Sequence, residues 1–373
     1  MQPTAPPPPD LYDPRTAERL ATLVAHDRMP HALLLLGPEG SGKIPLALRY
    51  VRHVLCERQL PDGPCDACNQ CRKVRKLVHP DLHFTFPTVG SKQISDHFLN
   101  EWRAALLENP YLNVRDWVAR IAEENKLPNI TVEECRQILS KLTLKKFEGS
   151  HKIQLIWRAE FLGEQGNRLL KMIEEPPPDT LFVLLAEDPA LILNTILSRC
   201  QLVKVPAPDD ERIAAGLTAR LGLDAETART VAFLANGNFN EALLLAAAGA
   251  GDLSERFVGW LRVCYQNKPV DMMQWTEAMG KTGREAQRAF LRYGLHFLRE
   301  FLQLHLTGNE QLRLGASELA TARRMTKILN FRRVEELTRL LTETIYYVER
   351  NANPRPLFLD ASIATSHILR NKV

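Results

Sequence analysis

The chain has 373 residues, enough for roughly two or three domains at one per ~100–200 residues, and enough to bury a sizeable core. Apolar residues make up 45% and charged residues 25%, the balance of an ordinary soluble protein; this excludes a disordered chain, and no apolar run approaches the ~18 residues that cross a membrane. The net charge of +4 is too small at this length to establish nucleic-acid binding by itself.

The opening MQPTAPPPPD lacks the basic-then-apolar pattern of a secretory leader, so a cytoplasmic location is expected. Residues 1–10 read as a flexible proline-rich tail. The short apolar run His31–Leu36 predicts a buried strand, and Pro45–Leu55 a helix, with proline tolerated in the first turn, where its missing N–H has no partner. Between them, Gly37-Pro-Glu-Gly40-Ser-Gly42-Lys43 fits G-x-x-x-x-G-K in the strand-to-helix context that gives this pattern a mechanism. Glycines let backbone N–H groups wrap phosphate oxygens, and the lysine adds charge at the helix start. The next position calls for a Ser or Thr hydroxyl on Mg²⁺, and Ile44 stands there. An alkyl group cannot ligate a hard cation, so productive ATP binding is not expected.

Four of the seven cysteines follow at once as Cys56, Cys65, Cys68 and Cys71. In a reducing compartment this spacing points to four thiolates around a tetrahedral ion, with zinc preferred. All four positions come from the protein, so the site is structural, with no place for a substrate water. Cys135, Cys200 and Cys264 are scattered, and His53 and His79 read as ordinary surface or loop residues. The basic runs at 72–76 (RKVRK) and 144–146 (LKK) face either phosphate or plain solvent.

Further strands are predicted at Leu82–Phe86, Ile153–Ile156, Leu181–Leu185 and Leu202–Val205, with helices between them. That alternation predicts an α/β domain with a parallel sheet, running to about residue 205. Residues 88–129 carry helical periodicity (Phe98, Trp102, Leu106; Val114, Trp117, Ile121) and read as a helical insertion, followed by a helix at Val132–Leu142. A phosphate-loop ATPase needs an acid at the end of a core strand. The strand at 153–156 runs instead into Trp157-Arg158. Glu160 and the pair Glu187-Asp188 are the rival acids, the latter read as a surface turn before Pro189. Beyond Pro206 the strand signals stop. Three short helices are predicted over 209–249 and longer amphipathic ones over 254–370.

The phosphate loop, the cysteine spacing directly after its helix, His79-Pro80-Asp81, the segment Asn167 to Pro177 (NRLLKMIEEPP) and Thr195-Ile-Leu-Ser-Arg-Cys200 together resemble the clamp-loader ATPases of bacterial DNA polymerase III. The resemblance covers the chain outside the proline tail and the insertion. It implies an AAA+ P-loop domain (11–205) carrying the zinc module (56–71) and the insertion (88–129), then a three-helix lid (206–253) and a helical collar for oligomerisation (254–373). It places the family's Asp-Glu pair at Trp157-Arg158, a polar sensor near Ala186 and a sensor arginine at Asn240, so those parts of a nucleotide site are altered along with Ile44. Ser198-Arg199-Cys200 is retained, and the resemblance makes Arg199 a finger that reaches a neighbouring subunit's ATP. The implied partners are ATP-binding gamma/tau subunits, a delta subunit, the sliding clamp and primer-template DNA, with no membrane. Two rivals stand beside this reading: an ATP-hydrolysing gamma/tau-like subunit using Glu160 or Glu187, and a zinc-stabilised DNA-binding module using the cluster at 72–76.

Overall fold

The computed structural model describes residues 10–122, 127–247, 253–308, 312–314 and 316–370, so the tail expected at 1–10 lies outside the described residues apart from Asp10. The described chain divides into two compact units. The first runs to Arg212 and takes in Gly237–Asn240; the second comprises Ile213–Asn236 and Glu241–Val373.

The first unit opens with α1 (Pro14–Ala25), whose N-terminus is capped by the Asp13 carboxylate accepting the Thr16 N–H. Strand β1 (Ala32–Leu36), helix α2 (Lys43–Val54), the short helix α3 (Asn69–Arg75) and β2 (Leu82–Thr85) follow. Helices α4 (Leu99–Glu108), α5 (Val114–Ile121) and α6 (Val132–Thr143) precede β3 (Lys152–Trp157); then come α7 (Leu170–Glu174), β4 (Thr180–Ala186), α8 (Asn194–Leu197) and β5 (Gln201–Lys204). All pairings are parallel, in the order β2-β3-β4-β1-β5. Leu33 and Leu35 join Leu155, Trp157, Val183 and Leu185 in the core beneath α1 and α2, while Leu34, Ile156, Phe182 and Leu184 join the core on the opposite face. Both faces are therefore covered, which is why these strands read as unbroken apolar runs rather than as alternating ones.

The insertion belongs to the first of those cores. Trp102 and Trp117 are fully buried, with ring centroids 5.1 Å apart. Trp102 stacks on Phe86 at 4.4 Å and lies 5.0 Å from Trp157. Reciprocal backbone hydrogen bonds of 2.9 Å between Thr88 and Asn129 close its neck. The buried Glu134 carboxylate of α6 holds its start, accepting the Ser95 N–H at 2.6 Å and the Thr85 hydroxyl at 2.7 Å.

Helices α9 (Asp210–Leu221), α10 (Ala225–Ala235) and α11 (Phe239–Ala247) complete the three short helices expected over 209–249. Helices α12 (Leu253–Gln266), α13 (Pro269–Gly280), α14 (Arg284–Thr307), α15 (Ala316–Met325), α16 (Phe331–Glu349) and α17 (Pro354–Arg370) follow. In the second unit Phe257, Trp260, Phe290 and Phe358 form an aromatic core, and the Trp260 N–H donates to Ser362 Oγ at 2.9 Å. Gly294 lets α12 approach α14, since a Cβ there would stand 2.5 Å from the Phe257 ring. Among the described residues, no helix is long and apolar enough to cross a membrane.

Candidate functional site

The loop between β1 and α2 lies at the carboxyl ends of the parallel strands, where open α/β sheets bind their ligands. Gly40 and Gly42 hold φ of +72° and +82°, conformations that a side chain rarely adopts, and Gly42 caps α2. Lys43 turns back on its own loop. Its ammonium donates to the Gly37 and Pro38 carbonyls, both at 2.6 Å, and to Ser41 Oγ at 3.5 Å, so its three N–H groups all have acceptors. Burial lowers its pKa from 10.5 to about 8, opposed by the charge of Glu187 at 3.9 Å. Ile44 is buried in the core under α2. The position that would present a metal-binding hydroxyl has become packing.

The two rival acids are both engaged within the chain. Trp157 ends β3 inside the aromatic core, and Arg158, at φ +60°, pairs its guanidinium with Glu187 and lies 3.7 Å from Glu160. Glu160 is buried and accepts the backbone N–H groups of Glu187 and Asp188 at the end of β4. Burial pushes the Glu187 carboxyl up, while Lys43 and Arg158 pull it down. Glu187, expected in a plain surface turn, is thus bound to the loop lysine and to Arg158, because the end of β4 adjoins the ends of both β1 and β3. Asp188 does fill the turn role, accepting the Ala190 N–H.

Next to α2 the four sulfur atoms of Cys56, Cys65, Cys68 and Cys71 lie within 4.8 Å of one another, with Cys56 and Cys68 4.0 Å apart. Tetrahedral zinc with bonds of about 2.3 Å requires sulfurs about 3.8 Å apart, so this donor set fits a soft four-coordinate ion. Backbone N–H groups of Cys65, Cys68 and Cys71 point at the sulfurs of Cys56, Cys65 and Cys68, contacts that favour thiolates. Donation from the Ala67 and Cys68 N–H groups pulls the Cys65 thiol down to about 6. Of the neighbouring cations, Arg75 pairs with Asp66 and Lys73 with Glu148, while Arg72 and Lys76 are exposed.

His53 and His79 are not surface residues: both are buried. Each imidazole spans a turn that its own strand or helix cannot tie. His53 Nε2 bonds the Leu60 carbonyl at 2.9 Å; His79 accepts the Asp81 N–H at Nδ1 and so donates through Nε2 to Gln70 Oε1 at 2.7 Å. The Asp81 carboxylate in turn accepts the N–H groups of Phe147, Glu148 and Gly149. Burial raises its pKa, but these three donors outweigh that and hold it below the usual carboxylate range. The His-Pro-Asp segment therefore pins the loop that leads into β3.

Arg199 sits after α8, about a third exposed, with Nε 3.0 Å from Glu174 Oε2 and Nη1 donating to the Thr195 carbonyl at 2.9 Å. Ser198 Oγ donates to the same carbonyl, and Cys200 packs on the core with its thiol pushed up to about 11 by burial, so it stays neutral. Glu174 belongs to the Glu-Glu-Pro-Pro segment at 174–177, so two separated motifs meet at the arginine. The structure brings Gly37, Gly40, Gly42 and Lys43 into one loop and the four cysteines into one cluster.

Asn240, the position implied for a sensor arginine, and residues with no earlier assignment close the mouth of the loop. Asn240 accepts the Asn109 amide at 2.6 Å and donates to Asp116 at 2.7 Å. Glu39, inside the loop, accepts from Asn113 and Asn238, both at 3.1 Å. The Tyr111 ring meets Phe239 edge-on at 4.9 Å, and its hydroxyl accepts the Leu11 N–H at 2.9 Å. The only sequence signal for this cluster was the run of turn formers around 109–113, which predicts a break between helices and says nothing of its contacts.

Comparison with known proteins bears on the family. Residues 12–209 match the family model described as DNA polymerase III, delta subunit. The delta-prime subunit of DNA polymerase III from Bacillus subtilis is 29% identical over 191 residues, spanning 50% of this chain and 46% of that protein. The delta-prime subunit from Pseudomonas aeruginosa is 30% identical, over 48% and 44%, and the tau subunit from Salmonella typhimurium is 27% identical over 64% of this chain and 33% of its own. The chain thus covers less than half the length of these relatives. With more than half of its residues matched by one family model, the chain belongs to the delta-prime family of DNA polymerase III clamp-loader subunits.

Proposed function

We propose that this chain is a non-hydrolysing subunit of a bacterial replicative clamp loader, one that works on its neighbour's nucleotide rather than its own. It assembles in the cytoplasm with ATP-binding gamma/tau subunits and a delta subunit, and the complex loads the ring-shaped sliding clamp onto primer-template DNA. The observation that carries this reading is the fate of the would-be catalytic acids. Arg158 stands where a carboxylate would position metal and water, and it consumes Glu187, while Glu160 is spent on backbone N–H groups. A phosphate loop without a free acid and with Ile44 after its lysine cannot assemble the Mg²⁺ site of phosphoryl transfer.

Arg199 is the group offered in trans, with Ser198 and Cys200 holding its turn. A planar, permanently charged guanidinium suits the charge that develops on a γ-phosphate. Its Glu174 partner keeps it oriented at the surface until a stronger anion replaces that carboxylate. The four cysteines hold a structural Zn²⁺ that ties the segment after α2 into a fold, and exchange it with no substrate. The AAA+ domain at 11–205 is followed by the lid at 206–253 and the collar at 254–373, which carries the oligomer contacts. The purified chain is expected to turn over no Mg-ATP alone, and to support turnover once mixed with gamma/tau and delta subunits. Steady hydrolysis by the chain alone would instead make it a gamma/tau-like ATPase.

A further inference from the structure

We infer that Tyr111 is an internal stand-in for a nucleobase, and that the segment 109–116 of the insertion fills the cleft a purine nucleoside diphosphate would enter. The inference rests on reading residues 37–43 as an inherited nucleotide loop. Tyr111 is 3% exposed, and a Cβ built on Gly42, at the start of α2, would lie 3.4 Å from its ring and 3.2 Å from the Tyr12 backbone nitrogen. The ring therefore touches the end of the loop from which a bound phosphate would lead outward to its base. Its surroundings are those a pocket offers a purine: an aromatic edge from Phe239 and a backbone N–H, from Leu11, aimed at a polar atom on the ring.

The polar residues around the ring behave as a lock. Asn240 ties both Asn109 and Asp116, and the Glu39 carboxylate bridges Asn113 and Asn238, so the insertion, the loop and 237–240 are joined within the first unit. Over the loop itself, a Cβ on Gly40 would fall 2.2 Å from Asn238 Oδ1 and 2.7 Å from the Phe239 nitrogen. Residues 238 and 239 therefore lie directly on the loop, with no room for even a methyl on Gly40. A degenerate loop alone would leave an open cleft that still collects phosphate or ADP; this one is occupied by its own chain.

The test is ADP binding without Mg²⁺ by the full chain, read by calorimetry. Wild type and Tyr111→Phe, which keeps the ring, are expected to bind ADP only at millimolar concentration or not at all. Tyr111→Ala is expected to bind at least about tenfold more tightly. Equal ADP affinity in wild type and Tyr111→Ala, or no binding by a folded Tyr111→Ala, overturns the inference. Should Tyr111→Ala not fold, the variant Asn113→Ser with Asp116→Ala keeps an N-cap for α5 and cuts two of the insertion's three polar ties, leaving the one from Asn109 to Asn240. Its amides at 37–43 should then exchange hydrogen about tenfold faster than in wild type and be slowed again by ADP; unchanged exchange overturns the inference equally. The role of Arg199 is read in the assembled complex, so either result leaves it standing.

Discussion

At the scale of single residues, Lys43 carries a cost that the chain tolerates. Its ammonium is buried, and burial sets its pKa near 8, below the ordinary 10.5. The unfolded chain therefore holds a proton between these values that the native state has released, so stability rises with pH across that window, and the cost is in full force below pH 8. Lys43→Met lacks this dependence. Urea unfolding of both proteins at about pH 7.5 and about pH 9.5 should show wild type gaining on the variant at the higher pH. A constant difference between them would mean that the amine is not desolvated. The glycines, the lysine and Ile44 were legible in the sequence because a phosphate loop needs fixed residue types at fixed spacing. His53 and His79 were not, since an imidazole at the end of a helix or in a loop looks the same whether it faces solvent or bonds a distant oxygen.

At the scale of elements, strand positions were readable to within a residue or so. Runs such as Leu181–Leu185 are apolar on both faces because both faces of the sheet are covered. The predicted strand at 153–156 extends through Trp157, whose side chain is buried beside Trp102. The insertion was visible as two helices, yet its purpose was not. Periodicity reports which residues of a helix are apolar and not which distant ring they meet, and Trp102, Trp117 and Trp157 come from segments far apart in sequence. The cysteine module was legible for the opposite reason, since all its ligands lie within one short stretch. Its prediction belongs to this scale. Purified chain should carry about one zinc, and Cys68→Ser should lose it and melt at a lower temperature, because metal affinity in such modules is folding energy. Cys135→Ser, at a cysteine of a different core, should keep its metal. Metal analysis showing equal zinc in both variants would dismiss the site.

At the scale of the whole molecule, the phosphate loop and Arg199, the group proposed to act in trans, are separate pieces of chemistry on one sheet domain. The loop's lysine is satisfied by its own carbonyls, Glu187 is paired with Arg158, and Glu160 takes two backbone N–H groups on Oε1 with Arg158 3.7 Å from Oε2. Arg199 lies on a turn after α8, held by one partly exposed carboxylate. Sequence motifs named both pieces, but the neutralised network between Lys43, Arg158, Glu160 and Glu187 needed the juxtaposed ends of β1, β3 and β4. The measurement that bears most directly on this division is ATP hydrolysis by the complex reconstituted with Arg199→Ala and, in parallel, with Lys43→Ala. This division of labour predicts that Arg199→Ala lowers the rate at the adjoining site by about 10³, the scale of a lost arginine finger, while Lys43→Ala leaves it near wild type. Hydrolysis at the wild-type rate with Arg199→Ala, or its collapse with Lys43→Ala in a complex that still assembles, would contradict it.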